Sequence, residues 1–172
     1  CDILKQKKIK ITLLSTGLSL KRNTDQILKL VDEVIVSLDG NELIHDQIRN
    51  IPDAFKKLKK GVQHIKSIKP FYKITARTVI HKLNFRHWAS IIESAKEIGL
   101  DQISFLPADV SSEAFNREIA WNEPRQQEIL PAKEELAEFQ TILQELIEHY
   151  KADFESGFIA ESPEKLQKIY AY

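Results

Sequence analysis

The sequence contains no methionine and a single cysteine, with five glycines and six prolines in 172 residues. One thiol allows no internal disulfide, and one thiolate cannot by itself hold an iron–sulfur cluster or a cysteine-rich zinc site. A chain so poor in cysteine has a reducing, cytoplasmic compartment as its default. Acidic and basic residues are equal at 25 each, so no basic excess points to nucleic acid. No apolar run approaches the ~20 residues of a membrane span, and no charged start followed by an apolar stretch marks a secretory signal. Glycine signatures are missing as well. No Gly-x-Gly-x-x-Gly follows a strand, no Gly-Lys-Ser/Thr phosphate loop exists, and there is no Gly-x-Ser-x-Gly elbow. The five histidines show no metal-ligand spacing, since His81 and His87 do not share a helix face. A chain that opens on Cys1-Asp2 and lacks methionine is expected to be an internal segment of a longer protein.

The composition that is present, 42% hydrophobic and 29% charged, fits one globular domain. Its clearest stretch is Val34-Ile35-Val36, three β-branched residues running into Ser37-Leu38-Asp39-Gly40. This reads as a buried parallel strand with a polar C-terminal tip, the end that opens onto a ligand crevice in α/β folds. Further strands are expected at Ile9–Leu14, Tyr72–Ile80 and Gln102–Leu106, with Phe158–Ala160 as a short extra one. Cys1–Lys8 reads as the end of a helix. Thr24 is taken as the N-cap of the next, and a turn or two of helix follows Gly40 as far as Arg49. After Pro52, the residues Phe55, Leu58, Val62, Ile65 and Ile68 recur at helical spacing beneath a lysine-rich face. Trp88, Ile91, Ile92, Ala95 and Ile98 do the same before Gly99. Residues 108–130 read as polar and irregular. Pro131 is placed at a helix start, Leu136 to Tyr150 carry a long apolar stripe, and Ser162-Pro163 opens a last helix running into Tyr172. Strand and helix thus alternate four times, which predicts parallel βα units with right-handed crossovers. Such units fit an open doubly wound sheet or an arc of a β/α barrel. Neither sheet edge has an evident cover, so strands are expected to be missing on the N-terminal side.

Candidate site residues cluster at strand ends: Ser15, Thr16, Ser37, Asp39, Arg77 and Asn84. Each hydroxyl, amide or carboxylate also has an ordinary reading. Ser15 and Thr16 suit a turn, Asp39 a helix cap, and Asn84 an N-cap. Arg77 stands in a strand that otherwise reads as core, where an unpaired guanidinium is costly, so it needs an anionic partner from protein or ligand. His45, Asp46 and Arg49 share a helix face and suit a salt-bridged helix on the rim. Trp88 reads as core, and Trp121 as either a pocket wall or a cover for the barrel end.

Together these residues resemble the radical S-adenosylmethionine (radical SAM) superfamily. Val36-Ser37-Leu38-Asp39-Gly40, with Glu42, His45-Asp46 and Ile48-Arg49, is similar to the family's fourth-strand pattern. Ser15-Thr16-Gly17 resembles the end of the third strand, though Thr16 stands where asparagine is usual. Arg77-Thr78-Val79 with Asn84 resembles the fifth strand and its exit, and Gly99 to Pro107 the run into the sixth. The resemblance covers residues 1–110 and only weakly the rest. It implies an α/β fold, a partial parallel (β/α) barrel comprising strands three to six. Residues 1–110 would form the barrel segment and 111–172 a mostly helical extension of the same domain. It also implies a small-molecule cofactor, S-adenosylmethionine, held beside a [4Fe–4S] cluster, with reductive cleavage yielding a 5′-deoxyadenosyl radical. On this resemblance Ser37 and Arg77 contact the methionyl carboxylate or the ribose. Ser15, Thr16 and Asp39 line the same cavity, Asn84 belongs to the same set, and Leu106 packs by the adenine. The cysteine motif and the Gly-Gly-Glu of the family are absent. Cluster ligands are therefore expected upstream of Cys1, Cys1 itself is read as packing, and the segment holds no metal ligand or catalytic residue and should be inactive alone. The parent enzyme's substrate would be a peptide or a cofactor precursor, selected by residues 111–130. Two other readings stay open: a non-catalytic α/β module binding a small anionic metabolite, and an interaction domain docking through the helix after Pro131.

Overall fold

Four strands, β1 (Thr12–Ser15), β2 (Glu33–Ser37), β3 (Ile74–Ile80) and β4 (Gln102–Pro107), form one parallel sheet in the order β1-β2-β3-β4. The computed structural model describes residues 2–112, 119 and 121–170. The reading of Cys1, residues 113–118 and 120 of the stretch 111–130, and the end of the last helix at Tyr172 lie outside them. Because sequential strands are neighbours throughout, the order never reverses as it does in a doubly wound sheet. That resolves the two architectures in favour of a barrel arc.

Burial along the strands supports the same conclusion. In β2, Val34 and Val36 are fully buried while Glu33, Ile35 and Ser37 are only partly so. In β3, Ile74, Ala76, Thr78 and Ile80 are buried while Arg77 and Val79 are exposed. One face is therefore packed under helices and the other is open, and a strand buried on both faces, as expected from the apolar run, is not what β2 is.

Helices α1 (Asp2–Gln6), α2 (Thr24–Leu30), α3 (Glu42–Arg49), α4 (Ala54–Ile68) and α5 (Trp88–Ile98) occupy the stretches read as helical. The apolar stripe of α4 is buried from Phe55 to Ile65, whereas Ile68 is exposed. Thr24 is not the cap of α2. Asn23 holds that position, and the Thr24 hydroxyl donates to the carbonyls of Leu20 and Lys21 instead. Gly99 ends α5 in the left-handed region at φ 88°. Beyond β4 follow α6 (Glu123–Ile129), α7 (Leu136–His149), α8 (Lys151–Glu155) and α9 (Pro163–Tyr170). Helix α6 falls within a region expected to be irregular. Its signal was Asn122, which caps Arg125 N–H, followed by Pro124 in the first turn. Pro131 does not begin a helix; a 3-10 turn at Lys133–Glu135 leads into α7.

The core lies between the sheet and these helices. Trp88 and Phe105 meet edge to face at 5.2 Å between ring centroids, as do Phe85 and Phe139. Side chains of this size, fully buried, each stabilise by roughly 1.5–3 kcal/mol. Phe139, Leu143, Leu146, Leu166 and Ile169 bury the apolar faces of α7 and α9 in the same core. The helix after Pro131 therefore has its apolar stripe occupied within the chain.

The edge at β4 is covered, against expectation. Ile159 forms a parallel bridge with Ile103, Ile103 N–H donates to Phe158 O, and Phe105 N–H donates to the buried carboxylate of Glu161. At β1, among the described residues, no strand pairs on the side away from β2.

Candidate functional site

Parallel pairing brings all four strand tips to one end of the sheet. The register then decides which tip residues share a face, because paired residues in neighbouring strands point the same way. Ser37 pairs with Arg77, and Arg77 pairs with Ser104, so these three form one row on the open face. Leu106 pairs with Val79 and lies two residues beyond Ser104 on that same face. Ser15 pairs with Val36, which puts it on the helix-packed face, opposite to Ser37 and Arg77. Its hydroxyl accepts from Gly17 N–H at 3.0 Å, the ordinary turn role. Thr16, just past the end of β1, is exposed.

Arg77 differs from the expectation in one respect. Its side chain sits on the open face, exposed, so no desolvation cost demands a partner. Among the described residues its guanidinium makes no hydrogen bond or ion pair. It is a free cation between two serine hydroxyls at the tip end of the sheet.

Asp39 is the opposite case. It is 5% exposed, and its carboxylate is gripped bidentately by Arg49, Nε to Oδ2 at 2.5 Å and a second guanidinium nitrogen to Oδ1 at 2.9 Å. Nδ1 of the fully buried His45 lies 3.1 Å from Oδ2 and 3.2 Å from the Asp39 backbone nitrogen. Burial alone would raise the Asp39 carboxyl. The His45 contact and the Arg49 guanidinium outweigh it and hold the group below the ordinary aspartate value. Asp39 does not cap α3, because Asn41 does so by accepting from Ile44 N–H at 3.2 Å. Asp46 instead accepts from Phe55 N–H at 2.8 Å, at the start of α4. The salt-bridged helix read from His45, Asp46 and Arg49 is thus a clamp on the β2 tip.

Asn84 is fully buried and committed to the backbone. Its Oδ1 accepts from His81 N–H at 2.9 Å, and its Nδ2 donates to Val79 O at 3.0 Å and Asp39 O at 3.3 Å. The Thr78 hydroxyl donates to Leu38 O. These two side chains tie the exits of β2 and β3 together. They fix the spacing of Ser37 and Arg77 without facing the open side. No hydrophobic pattern announces either bond, because both join residues about forty positions apart through the backbone.

Gly40 completes the β2 exit for a steric reason. A Cβ there would lie 2.5 Å from Ile44 Cβ and Cγ2, in the first turn of α3. Gly40→Ala is expected to push α3 off the strand tip and cost about 1–3 kcal/mol. A urea midpoint unchanged from wild type would show that α3 yields freely.

Beside the row, Val79, His81, Leu106, Pro107, Ala108, Asp109 and Trp121 line a cleft of about 630 Å³ at the tips of β3 and β4. Trp121 is a wall of this cleft, and the Arg125 guanidinium lies 5.2 Å from its ring centroid. Burial lowers the His81 imidazole below its ordinary value, the Asp39 charge opposes this, and Arg49 reinforces it.

The arrangement suits an organic ligand with a carboxylate at one end, lying across the tips. A guanidinium matches a carboxylate, serine hydroxyls match a ribose edge, and Leu106 offers an apolar surface. These residues therefore fit S-adenosylmethionine. They do not fit an iron–sulfur cluster. Among the described residues no group of His, Cys, Asp or Glu is placed to hold a metal ion, and the chain's one cysteine is Cys1. Among the described residues, too, no helix is long and apolar enough to cross a membrane.

No protein-family model and no curated protein matches the chain. Solved structures do. Coproporphyrinogen III oxidase (HemN) from Escherichia coli, described as a radical SAM enzyme, superposes with a TM-score of 0.59 at 14% identity, over 91% of this chain and 36% of that one. The enzyme anSMEcpe with bound AdoMet gives 0.57 at 18% identity, over 88% of this chain and 39% of that one. Streptococcus suis SuiB bound to its precursor peptide SuiA gives 0.56 at 14% identity, over 86% and 31%. The chain spans about a third of the length of these structures. With its sequential parallel strands, one helix-packed face and one open face, the chain has the fold of the radical SAM enzymes, as a four-stranded arc of their barrel.

Proposed function

We propose that this chain supplies the S-adenosylmethionine-binding wall of a radical SAM enzyme, with residues 1–110 as the barrel arc and 111–172 as its helical continuation. The observation that carries this reading is Arg77, an exposed guanidinium with no partner among the described residues, in register with Ser37 on the open face. Ser37 and Arg77 hold the methionyl carboxylate or the ribose, Thr16 borders the ligand at the β1 tip, and Leu106 packs by the adenine. Asp39, Asn84 and Ser15 serve from behind, by fixing the strand exits. S-adenosylmethionine held there would, given one electron from an iron–sulfur cluster of the parent enzyme, supply methionine and the 5′-deoxyadenosyl radical that takes hydrogen from substrate. The parent's substrate is a peptide or a cofactor precursor, consistent with the precursor peptide bound in SuiB, and it enters beside the Trp121 cleft. Calorimetric titration of the chain with S-adenosylmethionine tests the reading, and saturable binding is the expected result. Absence of saturable binding overturns it. Incubation with iron and sulfide is expected to leave no stable [4Fe–4S] absorbance, because the described residues offer no ligand set; a stable cluster spectrum would contradict that.

A further inference from the structure

Ser104 lies in the run from Gly99 to Pro107 with no site role of its own in the sequence, yet the register puts it in the same row as Ser37 and Arg77, on the far side of Arg77. Adjacent strands are about 4.8 Å apart, so the two hydroxyls flank the arginine at similar distances. Along its own strand Ser104 precedes Leu106 by two residues on the same face, a rise of about 6.6 Å. Among the described residues the Ser104 side chain makes no hydrogen bond, and it is only partly buried, so its hydroxyl is available to a ligand.

We infer that Ser104 is a further ligand-binding residue that hydrogen-bonds the ribose of S-adenosylmethionine. This rests on the reading above and extends it. If the carboxylate end lies on Arg77 and the adenine on Leu106, the sugar must cross the sheet between them, and Ser104 is the polar side chain at that point. A hydroxyl both donates and accepts, so it can serve either oxygen of a vicinal diol. Glutamine at 102, one step further down the open face, is drawn toward the edge by a bond from its Nε2 to Gly157 O at 2.9 Å, which leaves Ser104 as the polar group beneath the sugar.

The test measures affinities of wild type, Ser104→Ala, Ser104→Thr and Arg77→Ala for two probes, S-adenosylmethionine and 5′-methylthioadenosine, which keeps the ribose and adenine but has no carboxylate. Urea midpoints equal to wild type establish that each variant is folded. Ser104→Ala is expected to weaken both probes by about 3–10-fold, the effect of one neutral hydrogen bond, and Ser104→Thr to restore most of it. Arg77→Ala is expected to weaken S-adenosylmethionine alone. If Ser104→Ala leaves both affinities unchanged while Arg77→Ala weakens S-adenosylmethionine, the role of Ser104 is wrong and the reading of the site survives. If neither substitution matters, or wild type binds neither probe, the site reading fails and Ser104 with it. Loss of S-adenosylmethionine alone in Ser104→Ala also overturns the ribose assignment, since it would put Ser104 at the carboxylate.

Discussion

Replacing Arg49 with alanine is expected to lower the unfolding free energy by about 3 kcal/mol at pH 7, the lower end of what breaking a buried pair costs. The Asp39 carboxylate would lose both guanidinium bonds while staying shielded from water, with a side chain only 7% exposed in the intact pair. Arg49→Lys keeps the charge but not the two-pronged geometry, and should fall between wild type and alanine. The same pair sets the response to acid. The Asp39 carboxyl titrates below its ordinary value in the folded chain. Its contribution is therefore fully present above the unfolded value of about 3.9 and is lost as pH falls through the lower folded one. Asp39→Asn should flatten that part of the stability profile below about pH 4. Denaturant midpoints read at several pH values check both statements, provided the m value stays constant. A loss under about 0.5 kcal/mol in Arg49→Ala would mean that water screens the pair as it does at a surface.

Arg77→Ala should behave in the reverse way. Stability should change by no more than about 0.5 kcal/mol, because the side chain is exposed and has no partner among the described residues. Affinity for S-adenosylmethionine should fall by about 10–100-fold, the effect of a charge-assisted hydrogen bond worth roughly 1.5–3 kcal/mol. Arg77→Lys should recover only part of this, since an ammonium cannot meet a carboxylate side by side. The paired measurement separates an arginine engaged within the fold from one exposed on the open face. A folded Arg77→Ala chain with unaltered affinity would remove the central residue of the proposed site. A large loss of stability would instead reveal a structural duty for Arg77 that its exposure does not suggest.

Much of the fold could be read from local signals. The β-branched run at Val34, the stripe of α4 and the Gly99 turn each report on neighbours a few residues away, and each lies where expected. Face was harder to read than element. Val34-Ile35-Val36 is uniformly apolar, so nothing in it says that Ile35 faces the open side while its neighbours are buried. The face of Ser15 is equally hidden in the sequence. Its strand ends one residue later than expected, and its pairing with Val36 turns it to the helix side. The grip of Arg49 on Asp39 spans a turn and a helix, and Asn84 reaches Asp39 from another strand exit. Such bonds depend on how the exits are stacked, which sequence spacing does not encode. Ser104, inside the run from Gly99 to Pro107, has no role of its own in the sequence, because a serine in an apolar strand carries no signal until its neighbours across the sheet are known.

The covering of β4 gives the sheet a sense of direction in any association between chains. A bare strand edge is a template on which another strand can add. Along β4 the outward N–H of Ile103 is satisfied by Phe158, that of Phe105 by Glu161, and Pro107 has none to offer. An incoming strand would have to displace a backbone segment and a buried carboxylate to gain any donor there. Among the described residues, strand addition is thus turned away from β4 and toward the β1 side, where no strand pairs beyond β1.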